Sequence, residues 1–268
     1  MNNSGDLAGK NALVFGAGGS LGAAVASEFA AEGAEVFLSG RSAATVEEVA
    51  NRIDAAGGKA HVDVVDVSDP NAIDKYVAEV VARAGRIDAA CNLTGPRIRD
   101  YRNGTPIVQL PVDAFMLPQD TVLRLQFITA QACARRMVAQ GSGVLIFVTG
   151  SPAHPHGPGA AGIGAAFAAM ENLMRTLAIE LGSSGVRSVG LRIAANPDTR
   201  TIQDTTRVIA EHTGGTQDAA LARLEAATML GRSPRAVDTA RAAAFLASDR
   251  SRMMTGTVMN SSAGAVWD

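Results

Sequence analysis

The sequence predicts an α/β fold, a single doubly wound parallel sheet with helices on both faces. Three observations lead there. Short apolar runs alternate with helical patterns from Asn11 to the C-terminus with no break in composition. The first run, Leu13-Val14-Phe15, breaks into the glycines of Gly16-Ala17-Gly18-Gly19-Ser20-Leu21-Gly22 and continues as an Ala-rich helix. With 47% hydrophobic and 19% charged residues, a chain of 268 residues has ample apolar material for one large core.

Each element follows from local signals. Asn11 to Phe15 reads as a buried strand and Leu21 to Glu32 as a helix stopped by Gly33. Glu35 to Ser39 is a second strand, and Ser42 is placed to cap a helix running to about Ala56. A third strand, His61 to Val67, leads to Asp69-Pro70, an N-cap and first-turn proline that start a helix ending near Ala84. Ile87 to Leu93 is the fourth strand. From Pro96 to Pro118 the four prolines and the lack of periodicity predict a loop region. A long helix follows from about Asp120 to Ala139, then a fifth strand, Gly143 to Thr149, and a Pro/His/Gly-rich loop, Gly150 to Gly159. Ala160 to Leu181 is helical and Val186 to Ile193 is the sixth strand. The stretch 196–231 carries helical patterns broken at Gly214-Gly215 and is expected to form a lid. Ser233-Pro234 is expected to cap a helix through Ala247, and Thr257 to Asn260 is the last strand. The expectation is one domain spanning residues 1–268.

Composition narrows the function. The net charge of −2, with no basic run, argues against a general nucleic-acid binder. Cys91 and Cys133 lie in apolar surroundings, where they read as buried thiols of a reducing compartment. The polar stretch Met1 to Asp6 lacks a signal-peptide core, and the Ala/Gly-rich segment 159–170 is too short to span a membrane. A cytoplasmic protein acting on a small molecule, with no membrane partner, is expected. His61, His154, His156 and His212 share no face with carboxylates, so no metal site is expected.

The glycine turn between strand and helix is a place for a phosphate, because the backbone approaches closely and a helix N-terminus offers free N–H groups. Arg41 follows the second strand, where an acidic residue would accept ribose hydroxyls. A guanidinium there suits a 2′-phosphate, or is a solvated turn arginine. Asp66 is positioned to touch an adenine edge or to be a turn carboxylate. Asn92 either ties strand ends together or lines the cofactor channel.

With these residues in hand, the chain resembles the short-chain dehydrogenase/reductase family along its whole length. Residues 16–22 resemble that family's TGxxxGxG turn, with Phe15 for Thr and Ser20 for the middle glycine. Ser39-Gly40-Arg41 looks like its NADP-preferring variant, Asp66-Val67 like its adenine-contacting pair, and Asn92-Leu93-Thr94-Gly95 like an altered NNAG. Gly231-Arg232, the Phe245-to-Asp249 stretch and Thr255-Gly256 resemble its C-terminal landmarks. The resemblance implies a Rossmann-type sheet and an NADP(H) cofactor. It places Gly16, Gly19, Ser20, Leu21, Arg41, Ser42, Asp66, Val67, Asn92 and Gly95 at that cofactor. It also implies a homo-oligomer, a dimer or tetramer. The helices from Asp120 and Ala160 each carry a second apolar stripe, which agrees with helix-mediated assembly.

The family's Asn-Ser-Tyr-Lys set does not carry over by this alignment. Val122, Gly150, Ile163 and Phe167 stand at those positions, and Ile193-Ala194 replaces the Pro-Gly that supports the nicotinamide. The tyrosines are Tyr76 and Tyr101 only, and the lysines are Lys10, Lys59 and Lys75. Replacement groups are sought in Ser151, able to polarise a carbonyl, and in His154 or His156, able to give a proton near neutral pH. Tyr101, flanked by Arg97, Arg99 and Arg102, lies in a loop that can fold over the site. The leading expectation is an atypical NADP(H)-dependent oxidoreductase acting on a small carbonyl, alcohol or enone. The competing one is a non-redox isomerase or lyase, or a catalytically silent nucleotide-binding relative.

Overall fold

Alternation within the apolar runs builds two layers of core. In the first strand Ala12 and Val14 point to one face of the sheet, and Leu13 and Phe15 to the other. In the fifth, Val144, Ile146 and Val148 face the first layer, and Leu145 and Phe147 the second. Strands buried on both faces are those of a parallel sheet covered by helices. The computed structural model describes residues 5–96, 98–154 and 158–267, and at His212 the backbone alone.

The order is β1 (Asn11–Phe15), α1 (Ser20–Ala31), β2 (Glu35–Gly40), α2 (Ala43–Ala55), β3 (Lys59–Val64), α3 (Pro70–Ala84) and β4 (Ala89–Asn92). Then come α4 (Val112–Pro118), α5 (Arg124–Gln140), β5 (Gly143–Gly150), α6 (Ala161–Leu181) and β6 (Val186–Ile193). The chain continues with α7 (Arg200–Thr213), α8 (Gln217–Ala226), α9 (Ala236–Ala247) and β7 (Val258–Ser261). All pairs are parallel, in the order β3-β2-β1-β4-β5-β6-β7. Residues of α1, α2 and α9 fill the first layer, and those of α3, α5 and α6 the second.

Several elements differ from expectation. The 96–118 region is not irregular, because it holds turns of 3-10 helix at Ile98–Tyr101 and Ile107–Gln109 and then α4. Pro111 sits just ahead of α4, where a missing N–H costs nothing. Pro118 ends α4, and the chain widens into a five-residue π turn, Gln119–Leu123, before continuing as α5. β3 stops at Val64, so Asp66 lies in the following turn rather than closing the strand. α9 begins at Ala236, not at Ser233-Pro234. Its first turn is capped by Asp238, which accepts from the Arg235 N–H at 2.8 Å, and by Asp198, which accepts from the Ala236 N–H at 3.0 Å. Ser42 occupies the N-cap of α2, yet its side chain makes no cap bond. Asp69 does cap α3, accepting from the Asn71 N–H at 2.9 Å.

Candidate functional site

The strand order reverses between β1 and β4, which opens a crevice at their carboxyl ends where the glycine turn lies. Gly16 adopts φ +77°, and a Cβ there would come within 3.0 Å of the Leu93 carbonyl carbon and of Thr94 Cγ2. Conformation and space both require glycine. The Gly16 and Ala17 N–H groups donate to the Ser39 carbonyl at 2.9 and 3.0 Å, pinning the turn to β2. The Gly19 N–H donates to the Gly16 carbonyl at 3.1 Å and closes it. Gly19 stands at the N-cap of α1 and supplies no side-chain cap, which leaves first-turn N–H groups for an anion, while Leu21 packs on the core. The Ser20 hydroxyl accepts from the Arg200 N–H at 3.2 Å, joining the turn to the start of α7.

Arg41 and Ser42 are exposed at the end of β2, beside the uncapped start of α2. Asp66 Oδ1 accepts from the Ser68 N–H at 2.9 Å and from its hydroxyl at 2.7 Å. Those two bonds hold the Asp66 carboxyl below the usual carboxylate range, and the nearby Arg41 charge adds to the effect. The fold therefore brings Arg41 and Asp66 together. Val67, by contrast, turns its side chain into the core.

Asn92 is buried and hydrogen-bonded at both ends of its amide. Its Nδ2 donates to the Leu125 carbonyl at 3.1 Å and Thr129 Oγ1 at 2.9 Å, and its Oδ1 accepts from the Thr94 N–H at 2.9 Å and Thr94 Oγ1 at 2.6 Å. The side chain thus ties the end of β4 to α5, a helix rather than a neighbouring strand end. Gly95 is exposed, and a Cβ there would have Val122 Cγ2 as its nearest neighbour, at 4.0 Å.

At the other end of the crevice Ser151 is buried, and its hydroxyl donates to the Ile193 carbonyl at 3.1 Å. His154 is exposed three residues on, its N–H donating to the Ser151 carbonyl at 3.0 Å. His156 and Arg97 lie outside the described residues. The loop carrying His154 meets the 98–105 segment where the Gly104 N–H donates to the Gly159 carbonyl at 2.7 Å. Tyr101 does not offer its phenol to the crevice: the side chain is buried in the second core layer, and burial pushes its pKa up. Arg99 and Arg102 are exposed. Val122 and Ile163 belong to the same core layer, and a Cβ on Gly150 would lie 2.9 Å from Phe167 Cε2, so that ring packs on the end of β5.

A buried network at this end went unanticipated. Glu171 on α6 accepts from the Thr149 hydroxyl at 3.0 Å and from Arg192 Nε and Nη2 at 2.9 and 2.8 Å. The available signal was Arg192 itself, a charge inside a central strand, which requires a partner. Among the described residues no cluster of histidine, cysteine and carboxylate groups suits a metal ion, and no helix is long and apolar enough to cross a membrane. Burial pushes the Cys91 and Cys133 thiols up to about 12, as inert core cysteines.

Residues 16–265 match the family model described as enoyl-(acyl carrier protein) reductase, a branch of the short-chain dehydrogenases and reductases. The chain belongs to the short-chain dehydrogenase/reductase family. Within it, the chain is 31% identical to gluconate 5-dehydrogenase of Gluconobacter oxydans over 185 residues, 69% of this chain and 70% of the relative. A Burkholderia xenovorans structure described as a short-chain dehydrogenase/reductase superposes with a TM-score of 0.88 at 29% identity, covering 98% of this chain and 100% of that one. A Burkholderia cenocepacia gluconate 5-dehydrogenase, solved with NADP and tartrate, gives a TM-score of 0.83 at 25% identity over 96% of this chain and 95% of that one. The chain is an oxidoreductase of this family's type.

Proposed function

We propose that this family member is an NADP(H)-dependent oxidoreductase of a small carbonyl, alcohol or enone substrate, working without a Tyr–Lys pair. The observation that carries the reading is the adenosine end of the crevice, where Arg41 and Ser42 flank an uncapped helix start next to a turn that only glycine can form. Gly16, Gly19, Ser20 and Leu21 would hold the diphosphate by backbone N–H groups. Arg41 would pair with the 2′-phosphate, helped by the Ser42 hydroxyl, which capping does not use. Asp66 and the Val67 backbone would border the adenine, and Gly95 would leave room for the ribose. Bound there, the cofactor supplies or takes up a hydride. The chain's own part is to shape an apolar wall from Ile163 and Phe167 and to offer Ser151 and His154 as polar groups, with His154 or water giving the proton. The α7–α8 pair, with Gly214 in the left-handed region at φ +66°, forms the lid, and its start is fastened to Ser20.

Thermal shift tests the reading. NADPH should raise the melting temperature in a concentration-dependent way, and more than NADH does. No response to NADPH, NADP or NADH would overturn it.

The second reading, a catalytically silent or non-redox relative, draws on the commitments already made by Asn92 and Ser151. It predicts tight dinucleotide binding with no turnover across a carbonyl and enone panel. Assembly is part of the proposal too. The groove lined by Leu123, Phe127 and Leu173 and rimmed by Asp120 and Arg124 suits a second copy of the chain, and light scattering should give a dimer or tetramer.

A further inference from the structure

The carboxyl ends of β5 and β6 are cross-linked by charges that the proposed function leaves unused. Glu171 is 5% exposed and Arg192 is 4% exposed. The guanidinium meets the carboxylate through two bonds, Nε to Oε1 at 2.9 Å and Nη2 to Oε2 at 2.8 Å, the fork geometry that fixes orientation as well as distance. Thr149 lies opposite Arg192 in the strand register and donates to the same Oε1 at 3.0 Å. Just beyond, Ser151 donates to the Ile193 carbonyl at 3.1 Å. One carboxylate on α6 thus binds side chains from both strands immediately before the turns that leave them.

Such a pair is an expensive way to fill a core. Two charges lose their hydration on burial, and apolar residues of equal volume commonly serve stability as well or better. What the pair supplies is direction. No proline ring fixes φ at Ile193, so the start of the turn after β6 is held by hydrogen bonds instead. Glu171 also sits one turn along α6 from Phe167, whose ring packs on Gly150 at the end of β5. A shift of α6 against the strands would move that wall relative to Ser151, which is bonded to the end of β6.

We propose that Glu171, Arg192 and Thr149 form a positioning clamp that sets the β5 and β6 ends, and with them Ser151 and the Ile193 turn, at the nicotinamide end of the dinucleotide site. The clamp rests on the dinucleotide reading. The adenosine end is built from the turns after β1, β2 and β3, on the far side of the β1/β4 crevice, and contains none of its members.

This separation supplies the test. Calorimetry compares NADPH with 2′,5′-ADP, which carries the adenosine end alone. Removing one charge would break the fork and leave a buried charge with fewer partners, so both are replaced together, by Glu171→Leu with Arg192→Met. Thr149→Val is the milder variant and keeps the ion pair. The double variant should bind NADPH at least about tenfold more weakly, and Thr149→Val about threefold more weakly, with 2′,5′-ADP affinity held within about twofold in both. Unchanged NADPH affinity in both variants overturns the clamp. A parallel loss for both ligands also overturns it, since a merely structural role would give that result. A wild type that binds 2′,5′-ADP shows the dinucleotide reading standing even where the clamp fails, whereas one that binds neither ligand removes both.

Discussion

Replacing Gly22 by alanine sets two effects of opposite sign against each other. Gly22 lies inside α1, where alanine is favoured over glycine by about 1 kcal/mol of helix propensity. Its Cβ would be driven into the Gly16 carbonyl oxygen, and would sit 2.9 Å from the Gly16 carbonyl carbon and 3.0 Å from Ala17 Cα. These neighbours are backbone, not the far ends of flexible side chains. They cannot retreat, because Gly16 is held at φ +77° and both N–H groups are bonded to the Ser39 carbonyl. Overpacking of this kind costs about 1–3 kcal/mol, and contact with pinned backbone puts it toward the top of that range. The clash wins, for a net loss of about 1–2 kcal/mol, or roughly 2–8 °C in melting temperature for a domain of this size. Helix α1 should also stand off from the turn and weaken NADPH binding. Gly182→Ala is the matched control. Gly182 has φ −59° and open space around its Cβ position, so alanine there should be neutral or stabilise by up to about 1 kcal/mol. Scanning calorimetry on the two variants, with NADPH titration, makes the comparison. A Gly22→Ala protein that melts at or above the wild type and binds NADPH equally well would refute the argument from backbone contact.

Other outcomes follow from single side chains. Arg41→Ala should cut NADPH affinity by about tenfold to a hundredfold, the worth of a hydrogen bond to a charged group, while leaving NADH unaffected; an unchanged NADPH/NADH ratio in a titration would remove Arg41 from 2′-phosphate recognition. His154→Ala should lower turnover in a carbonyl and enone screen, and equal turnover would take His154 out of the chemistry. The Lys10 ammonium donates to Asp249 at 2.8 Å and holds that carboxyl below its ordinary value, with Arg187 and Arg252 adding to the effect. Because the folded value is the lower one, the contribution is complete above about pH 4 and fades as pH falls through the folded value. Lys10→Met should therefore reduce the loss of melting temperature between pH 4 and lower pH, and superimposable acid limbs would contradict this.

Elements with local causes were legible from the sequence. The strand Asn11–Phe15, the helix Pro70–Ala84 and the strand Val186–Ile193 have the expected bounds, the helix because Asp69-Pro70 and Gly85 mark both its ends. The glycine turn was legible for the same reason, since its requirements lie within a few residues. What escaped depends on partners distant in the chain. α9 is capped partly by Asp198, 38 residues away, and Ser20 is met by Arg200, 180 residues away. Prolines 111 and 118 signalled a loop, yet Pro111 sits just ahead of a helix, where a missing N–H costs little, and Pro118 lies within helical chain, where the helix widens into a π turn. Tyr101 read as a loop side chain because burial by residues from other elements leaves no mark on its own neighbours.

The same division separates the two ends of the crevice. At the end proposed for the adenosine, recognition would rest on backbone geometry and helix starts, with Arg41 and Ser42 exposed and taking no part in the core. At the other end Val122 and Ile163 are members of the second core layer, 5% and 7% exposed, and Phe167 packs against it. Apolar side chains at those positions extend a core that already includes Met170 and Met174 on the same helix as Ile163. Polar side chains there would need partners to offset their desolvation. On the proposed reading this is why the chain can dispense with a tyrosine and a lysine and still hold a dinucleotide. The residues proposed for the adenosine end lie on turns separate from those that fill the other end, where the Glu171–Arg192 ion pair joins α6 to β6.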